Sequence, residues 1–273
     1  MATRRSILRG LVLGGAGALL AGNDAPKEAP KKAETPKSPF DANVKVEFTG
    51  EFMVVHSDGI PTRKTGTFPN EHNPNRILKQ DYTFKIPLHP KPAEKPTKTP
   101  MGPIGVAVDG VPFYNPYNRE GNDAVAGPFA EVFDSCCGHP DQMGRYHYHK
   151  YPTCLKSPFH DKPGEHSPLI GYAFDGYGVY GPQSEDGKPP TDLDGCNGHN
   201  DAGRGYHYHV TAVAPYLIGA YHGVVDRANF DHGGRFAGAP PGGPGGPGGG
   251  PPGGPPRGPG GRPDGPPPDR RPD

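Results

Sequence analysis

RYHYHK, at Arg145–Lys150, and GYHYHV, at Gly205–Val210, are two copies of one Tyr-His-Tyr-His motif. The residues before the two copies also correspond, without gaps and in the same order. The paired segments are GVAVDGVPFYNP at Gly105–Pro116 with GYAFDGYGVYGP at Gly171–Pro182, and DSCCGHPDQMGRYHYH at Asp134–His149 with DGCNGHNDAGRGYHYH at Asp194–His209. The sequence therefore predicts a duplicated module, over residues 105–149 and 171–209.

Each module is predicted to consist of short strands joined by turns and loops. Asp109-Gly110 and Asp175-Gly176 lie between short apolar runs, which is typical of a tight hairpin turn. No long apolar pattern of period 3.6 occurs after residue 22, so long helices are not expected. We predict a mostly β fold with long loops and an internally duplicated β module, its two copies packed about a pseudo-two-fold axis.

Three segments before the repeat are also predicted to be strands. VKVEF at 44–48 and EFMVVH at 51–56 flank Thr49-Gly50, a hairpin signal, and DYTFKIPLH at 81–89 is a third candidate. The stretch 91–100 is rich in proline and lysine, and we interpret it as a surface loop.

Alternation of side chains in a strand gives the motif a chemical meaning. The two histidines of each copy lie on one face, and the two tyrosines on the other. The Cα atoms of His147 and His149 should be about 7 Å apart, so both imidazoles can reach one ion about 2 Å from each nitrogen. His207 and His209 have the same spacing. The tyrosines are expected to pack into apolar surroundings and fix the rotation of the strand.

A Gly-His pair supplies a third histidine in each module, His139 and His199. Asp141 and Asp201 follow two residues later, and a carboxylate beside a ligating imidazole commonly accepts its second N–H. We interpret His166 as a loop residue, although its position would allow it to reach the cluster.

These repeated histidines predict one metal centre shared by the two modules. The first ligands would be His147, His149, His207 and His209, with His139 and His199 next. The alternative is structural: the histidines would bond backbone carbonyls and carboxylates and hold a loop-rich fold together.

Such a centre predicts copper or zinc, because the centre offers imidazole ligands without thiolate. Calcium is a third option, through Asp109, Asp175 and the loop aspartates. With an open ligand position, the centre could serve a redox or a hydrolytic enzyme. The sequence contains no Ser-His-Asp signature, phosphate loop or paired-carboxylate motif that would name a hydrolase.

The two ends of the chain differ from the predicted domain, residues 43–234. Two adjacent arginines within Thr3–Arg9 precede GLVLGGAGALLAG at 10–22, and the pattern is typical of a twin-arginine signal peptide over residues 1–22. Residues 23–42 read as a Lys/Pro-rich linker, and residues 235–273 as a disordered Pro/Gly-rich tail.

These ends predict an exported protein, periplasmic or extracellular, with no transmembrane segment in the mature chain. The destination would be oxidising, which allows disulfides. The formal net charge is zero with histidine neutral, so no electrostatic footprint for a nucleic acid is present. The tail could contact the cell envelope.

The order of these motifs resembles the YHYH domain family, which is named for the repeated tetrapeptide. The resemblance runs from about Ile86 to Asp226 and includes both copies of the motif. It also includes GVAVDGVP from Gly105, HSPLIGYAFDG from His166 and PYLIG from Pro215. It implies a mostly exported, poorly characterised domain and brings no established reaction.

Four cysteines allow three complete pairings. The family pattern often has cysteine at the position of Ala220 and glycine at that of Cys137. We predict a Cys136–Cys154 disulfide that closes the loop around the first histidine strand. Cys137 and Cys196 could then pair if the modules are adjacent, and the alternative is free thiols that could be soft metal ligands.

Two functions of other classes remain open at this stage. One is a structural or interaction module of the cell envelope, in which the histidines hold the fold. The other is a carbohydrate-binding module that uses exposed tyrosines. The candidate residues for it are Tyr114, Tyr117, Tyr172, Tyr177 and Tyr180.

Overall fold

The computed structural model describes residues 38–155 and 164–230, and these ranges are mostly β. The strands are β1 (Lys45–Thr49), β2 (Phe52–Ser57), β3 (Tyr82–Pro87), β4 (Pro92–Lys98), β5 (Pro103–Ala107), β6 (Pro112–Tyr114), β7 (Gly138–Pro140), β8 (Tyr146–Tyr148), β9 (Leu169–Ala173), β10 (Gly178–Tyr180), β11 (Gly198–Asp201), β12 (Gly205–His209) and β13 (Ala220–Gly223).

A short 3₁₀ helix at Arg227–Phe230 is the one helix of the described ranges, which therefore contain nothing helical with the length and apolar character that crossing a membrane requires. The predicted signal peptide, the tail and residues 23–37 of the predicted linker lie outside the described residues.

The first three strands form an antiparallel sheet in the order β1-β2-β3, and the strand predictions for this region are confirmed. Burial alternates along β3, where Tyr82, Phe84 and Ile86 point into the core. The alternation follows from period-2 side-chain geometry and gives this sheet one apolar face.

The loop interpretation of residues 91–100 was wrong. Pro92–Lys98 is strand β4, which pairs antiparallel with β13 in a two-stranded sheet. Both strands of such a sheet are edges, and prolines are tolerated there because they need not donate to a second neighbour. The exposed lysines and prolines that favoured a loop are also usual on an exposed edge strand.

The central sheet has eight strands in the order β11-β12-β10-β9-β5-β6-β8-β7. Strands β5 and β9 pair antiparallel at its middle. On one side β5 pairs antiparallel with β6, β6 parallel with β8, and β8 antiparallel with β7; on the other side β9, β10, β12 and β11 repeat this pattern. Each strand of the first sequence repeat thus has a counterpart at the equivalent place on the other side of the sheet.

Two glycines allow the middle strands to approach each other. Gly105 is opposite Ala173, and Gly171 is opposite Ala107. A Cβ on Gly105 would lie 2.6 Å from the carbonyl oxygen of Tyr172, and one on Gly171 would lie 2.3 Å from that of Val106. Both glycines occupy the same position of the sequence repeat. At that position a side chain would collide with the backbone of the facing strand, and only glycine avoids this.

Candidate metal centres

Strands β8 and β12 carry the two Tyr-His-Tyr-His motifs, and their pairing brings the third histidine of each module beside them. In the β7–β8 pair, His139 is directly opposite His147. In the β11–β12 pair, His199 is directly opposite His207. Side chains at directly opposed positions are neighbours on one face, so the Gly-His and Tyr-His-Tyr-His segments together build a histidine cluster in each module.

The tyrosines of the motifs face the other way, and each is held by an aspartate. Their hydroxyls donate hydrogen bonds to carboxylates: Tyr146 to Asp134 at 2.7 Å, Tyr148 to Asp109 at 3.0 Å, Tyr206 to Asp194 at 2.9 Å and Tyr208 to Asp175 at 2.5 Å. The predicted apolar packing is therefore only part of their role. The hydroxyl bonds anchor both motif strands, which helps to fix the face that the histidines present.

Cluster 1 consists of Glu131, His139, His147 and His149. The Nε2 atom of His147 lies 3.0 Å from Nε2 of His139 and 3.0 Å from Nε2 of His149. The Oε2 atom of Glu131 lies 3.3 Å from Nε2 of His139 and 3.2 Å from Nε2 of His149. All four potential ligand atoms therefore lie close together, within 4.8 Å of one another.

The second nitrogens of two of these rings decide the protonation state. Nδ1 of His147 lies 2.9 Å from the carbonyl oxygen of Arg145, and Nδ1 of His149 lies 2.6 Å from that of Asn115. A carbonyl oxygen only accepts hydrogen bonds, so each Nδ1 carries the proton of the neutral ring. The two Nε2 atoms then face each other at 3.0 Å with lone pairs and no proton between them, an arrangement that a cation would stabilise.

Cluster 2 consists of His166, His199, His207 and His209. The Nε2 atom of His207 lies at its centre, 3.1 Å from Nε2 of His166, 3.2 Å from that of His199 and 3.1 Å from that of His209. As in cluster 1, three of the members come from the repeated positions of one module.

Every Nδ1 atom of cluster 2 has an acceptor of its own. Backbone carbonyl oxygens lie beside Nδ1 of His166, His207 and His209, at 2.7, 2.9 and 2.6 Å. Nδ1 of His199 lies 2.8 Å from Oδ1 of Asp192. In the neutral state all four rings therefore carry the proton on Nδ1, and four Nε2 lone pairs converge.

The prediction of one centre shared by the two modules was wrong. The motif strands β8 and β12 are separated in the sheet by β6, β5, β9 and β10, which is five strand spacings or about 24 Å along the sheet. The modules meet through β5 and β9, whereas the histidines lie toward the two outer ends. The six predicted histidines are thus divided into two groups of three.

The roles predicted for Asp141 and Asp201 were also wrong. Asp141 accepts hydrogen bonds from Arg145, with Nε at 2.6 Å, and from backbone N–H groups of its own turn. Asp201 is paired with Arg204 at 2.8 Å, and its nearest approach to an imidazole is 3.9 Å, to His207 Nε2. Each aspartate lies in the turn between two paired strands, where a neighbouring arginine and turn amides are closer than the imidazoles.

The sequence interpretation missed Glu131, Asp192 and the role of His166. His166 is not a simple loop residue, since its Nε2 atom is part of cluster 2. Glu131 and Asp192 precede the Gly-His pair of their modules by eight and seven residues, counting to His139 and His199. An acidic residue at nearly the same distance in both modules was a usable signal, but it lies just before the gapless segments.

Burial depresses the pKa of several imidazoles in the clusters. It lowers the pKa of His147 well below the usual value, and the neighbouring His139 and His149 lower it further. Burial also lowers the pKa of His209 to about 3 and depresses that of His207.

Glu131 Oε2 is buried and has no hydrogen-bond partner among the described residues. Its approach to His149 Nε2 is not a hydrogen bond in the neutral state, because the proton of that ring is on Nδ1. The other ring beside this oxygen, His139, could donate from Nε2 only over 3.3 Å. A buried carboxylate oxygen with no closer donor is unfavourable unless a cation compensates it. The oxygen therefore has the properties of a metal ligand.

A cleft of about 760 Å³ opens in front of cluster 1. Its lining includes all four cluster members, so an ion held there would lie at the wall of the cleft. Met101, Tyr117, Asn118 and Arg119 also line this cleft.

The cysteine prediction is confirmed for one bridge and wrong for the other. Cys136 and Cys154 form a disulfide with their Cα atoms 4.9 Å apart. Cys137 and Cys196 are free, because they precede β7 and β11, which lie at opposite ends of the central sheet. Neither thiol belongs to a histidine cluster.

The residues suggested for calcium and for carbohydrate have other surroundings. The Oδ2 atom of Asp109 is occupied by Arg63 and Tyr148, and that of Asp175 by Tyr208 and Gly223 N, as expected of turn residues. Among the five candidate tyrosines, Tyr117 is exposed, whereas the other four are buried or half-buried. Those four are Tyr114, Tyr172, Tyr177 and Tyr180.

Residues 83–192 match the family model described as YHYH protein, which confirms the resemblance seen in the sequence. The match includes the first motif and strands β9 and β10, and it ends before the second motif, whereas we predicted an extent to Asp226. No curated protein and no solved structure matches the chain.

Proposed function

We propose that this chain, which carries a YHYH domain, binds two transition-metal ions, one in each histidine cluster. The observation that carries the proposal is the direction of the lone pairs. Nδ1 protons are committed to carbonyl or carboxylate acceptors, and the Nε2 atoms converge at 3.0–3.2 Å without protons between them. Two buried lone pairs at that distance repel each other, and a shared cation removes the repulsion.

The spacing of the ligand atoms supports copper or zinc. Zinc–nitrogen bonds of about 2.05 Å in a tetrahedron place neighbouring nitrogens about 3.3 Å apart, and tetragonal copper places them about 2.9 Å apart. The Nε2 atoms of His147 and of His207 lie 3.0–3.2 Å from those of the histidines around them, and these separations fall between the two values. Imidazole suits both metals, whereas calcium prefers six to eight oxygen ligands.

An exported location is part of the proposal. The Cys136–Cys154 disulfide supports folding or residence in an oxidising compartment. The twin-arginine pattern of residues 1–22 points to the same destination. Export of an already folded chain would also allow metal uptake before transport.

Metal content of the purified full-length chain tests the proposal. After incubation with zinc or copper(II) and removal of free metal, elemental analysis should give two ions per chain. His147→Ala and His207→Ala should each retain one, and the double variant none. His89→Ala is the matched control, because His89 is exposed and outside both clusters. It should retain two.

Absence of metal from the wild-type chain, together with a melting temperature that chelators do not change, would contradict the proposal. The histidines would then be structural, and His147→Ala would lower the melting temperature in metal-free buffer by as much as in metal-containing buffer. Glycan binding that survives complete metal removal would instead support the carbohydrate-binding alternative.

A further inference from the structure

We infer that the ion of cluster 1 keeps a coordination position open to the cleft, and that the cleft binds a small organic carboxylate there. The inference rests on the proposed function, since it requires a metal in cluster 1. It assigns to the two clusters different roles: cluster 1 binds a ligand, and cluster 2 holds its ion with protein ligands alone.

The first observation is access. Glu131, His139, His147 and His149 all contribute to the wall of the cleft. The four protein donors of cluster 1 leave room for a fifth ligand on the cleft side, because zinc sites with an accessible face expand to five-coordination. A cleft of about 760 Å³ is within the size range of small-molecule sites.

The second observation is a difference between the repeats. His166 precedes Gly171 by five residues and delivers a ligand atom to cluster 2. The equivalent residue, five before Gly105, is Pro100, which has no side-chain donor. The residues that follow it, Met101 and Gly102, line the cleft instead. The position from which cluster 2 receives its fourth ligand is therefore occupied in cluster 1 by a residue without a donor, next to residues that line the cleft.

The third observation is charge. The formally charged residues that line the cleft are Arg119, Arg145, Asp141 and Glu131, and their charges sum to zero. A divalent ion in cluster 1 would raise the sum to +2, so the loaded cleft would favour an anion.

Of the two arginines that line the cleft, Arg119 is the one without a carboxylate partner among the described residues, so we assign it to the far end of that anion. It lies in the exposed part of the cleft, and its guanidinium makes one long hydrogen bond, 3.3 Å to Gln142. Arg145 is already held by Asp141 through two contacts of 2.6 Å. A guanidinium binds a carboxylate with two parallel hydrogen bonds, which favours carboxylates over spherical anions.

Cobalt(II) loading of the full-length chain gives a direct test, because the visible absorption of cobalt weakens when a fifth ligand joins a tetrahedral site. The probes are azide and succinate. His207→Ala keeps cluster 1, and His147→Ala keeps cluster 2. Both probes should change the spectrum of the first variant and leave that of the second unchanged. In the wild-type chain the change should correspond to one of two cobalt ions.

Arg119→Gln separates the cleft from the metal. It should weaken succinate binding about tenfold and leave azide binding within about twofold, since only the dicarboxylate reaches the guanidinium. The inference is overturned if cobalt is bound with the expected stoichiometry but neither probe alters cluster 1, or if both clusters respond equally. A chain that binds no cobalt, zinc or copper would refute the proposed function itself.

Discussion

Cluster 1 and cluster 2 share three histidines at repeated positions and differ in the fourth ligand. In cluster 1 the fourth donor is Glu131, from the loop before β7. In cluster 2 it is His166, from the segment before β9. The paired strands thus fix three nitrogen donors in a standard geometry, whereas the loops decide the charge of the site and the direction from which it is accessible.

The largest effect expected from this comparison is stabilisation by metal. A ligand present at a thousand times its dissociation constant stabilises the native state by about 4 kcal/mol per site. Zinc at a thousand times the dissociation constant of both sites should therefore raise the free energy of unfolding of the wild-type chain by two increments of about 4 kcal/mol. The free energy of unfolding of His147→Ala or of His207→Ala should rise by one such increment. Denaturant titrations with and without zinc measure the increments, and equal increments in all three proteins would contradict two independent centres.

The disulfide is the next difference between the two halves. Cys136 is bridged to Cys154, whereas Cys196, its counterpart in the repeat, is a free thiol. Because the bridge closes a loop of 18 residues, replacing both of its cysteines by serine should lower the free energy of unfolding by about 3 kcal/mol. Cys137→Ser is the control and should change it little. An unchanged midpoint in urea for the double variant would argue against the bridge.

The aspartates that hold the motif tyrosines differ in the hydrogen-bond donors that they keep when a tyrosine hydroxyl is removed. Asp109 also accepts a hydrogen bond from Arg63, whereas among the described residues Asp175 has only backbone N–H donors besides Tyr208. Removing a donor from a buried carboxylate costs about 1–3 kcal/mol. We expect Tyr208→Phe to destabilise the chain by about 2 kcal/mol and Tyr148→Phe by about 1 kcal/mol. The reverse order, measured by urea unfolding, would refute this account of the anchors.

Acid should destabilise the metal-free chain, chiefly through cluster 2. Burial lowers the pKa of His166, His207 and His209 in cluster 2, and that of His147 in cluster 1. The unfolded chain binds these protons near pH 6.5 and the folded chain at lower pH, so stability is present above about pH 6.5 and is lost as the pH falls below it.

Each such group contributes a slope of up to about 1.4 kcal/mol per pH unit below its unfolded pKa. The double variant His166→Gln/His209→Gln should flatten the slope of the unfolding free energy between pH 6 and pH 5 about twice as much as His147→Gln. Unfolding titrations of the apoproteins at these pH values measure the slopes. An identical slope in all of them would show that the rings are not held neutral.

The smallest effect concerns one backbone position. Cys137 and Asn197 are equivalent in the repeat, and both have positive φ, 66° and 72°. Asparagine tolerates this region better than cysteine does. Cys137→Asn should therefore raise the free energy of unfolding by about 0.5 kcal/mol. If thermal unfolding showed Cys137→Asn to be less stable than the wild-type chain, the positive φ of Cys137 would not be a source of backbone strain.

The sequence was sufficient to predict many of the strands and turns, and the face of the motif strands on which the histidines lie. The period-2 pattern in residues 44–89 and the Asp-Gly pairs predicted strands and turns that are present. The alternation in Tyr-His-Tyr-His predicted correctly which side chains share a face. These features are local, so a single strand or turn determines them.

The errors arose where distant segments had to be arranged. The pairing of β5 with β9 decides that the two histidine groups point to opposite ends of the sheet, and no local pattern specifies that pairing. Glu131 and His166 come from loops outside the gapless repeats, and therefore repetition did not identify them. The strand at Pro92–Lys98 depends on a partner more than a hundred residues later, Ala220–Gly223.

Anomalous diffraction at the zinc or copper edge, from crystals of the metal-loaded chain, tests the central claim most directly. We expect two separate peaks, one about 2 Å from the Nε2 atoms of His139, His147 and His149, and the other at the same distance from those of His166, His199, His207 and His209. A single peak bound by both motif strands, or no peak at either cluster, would contradict it.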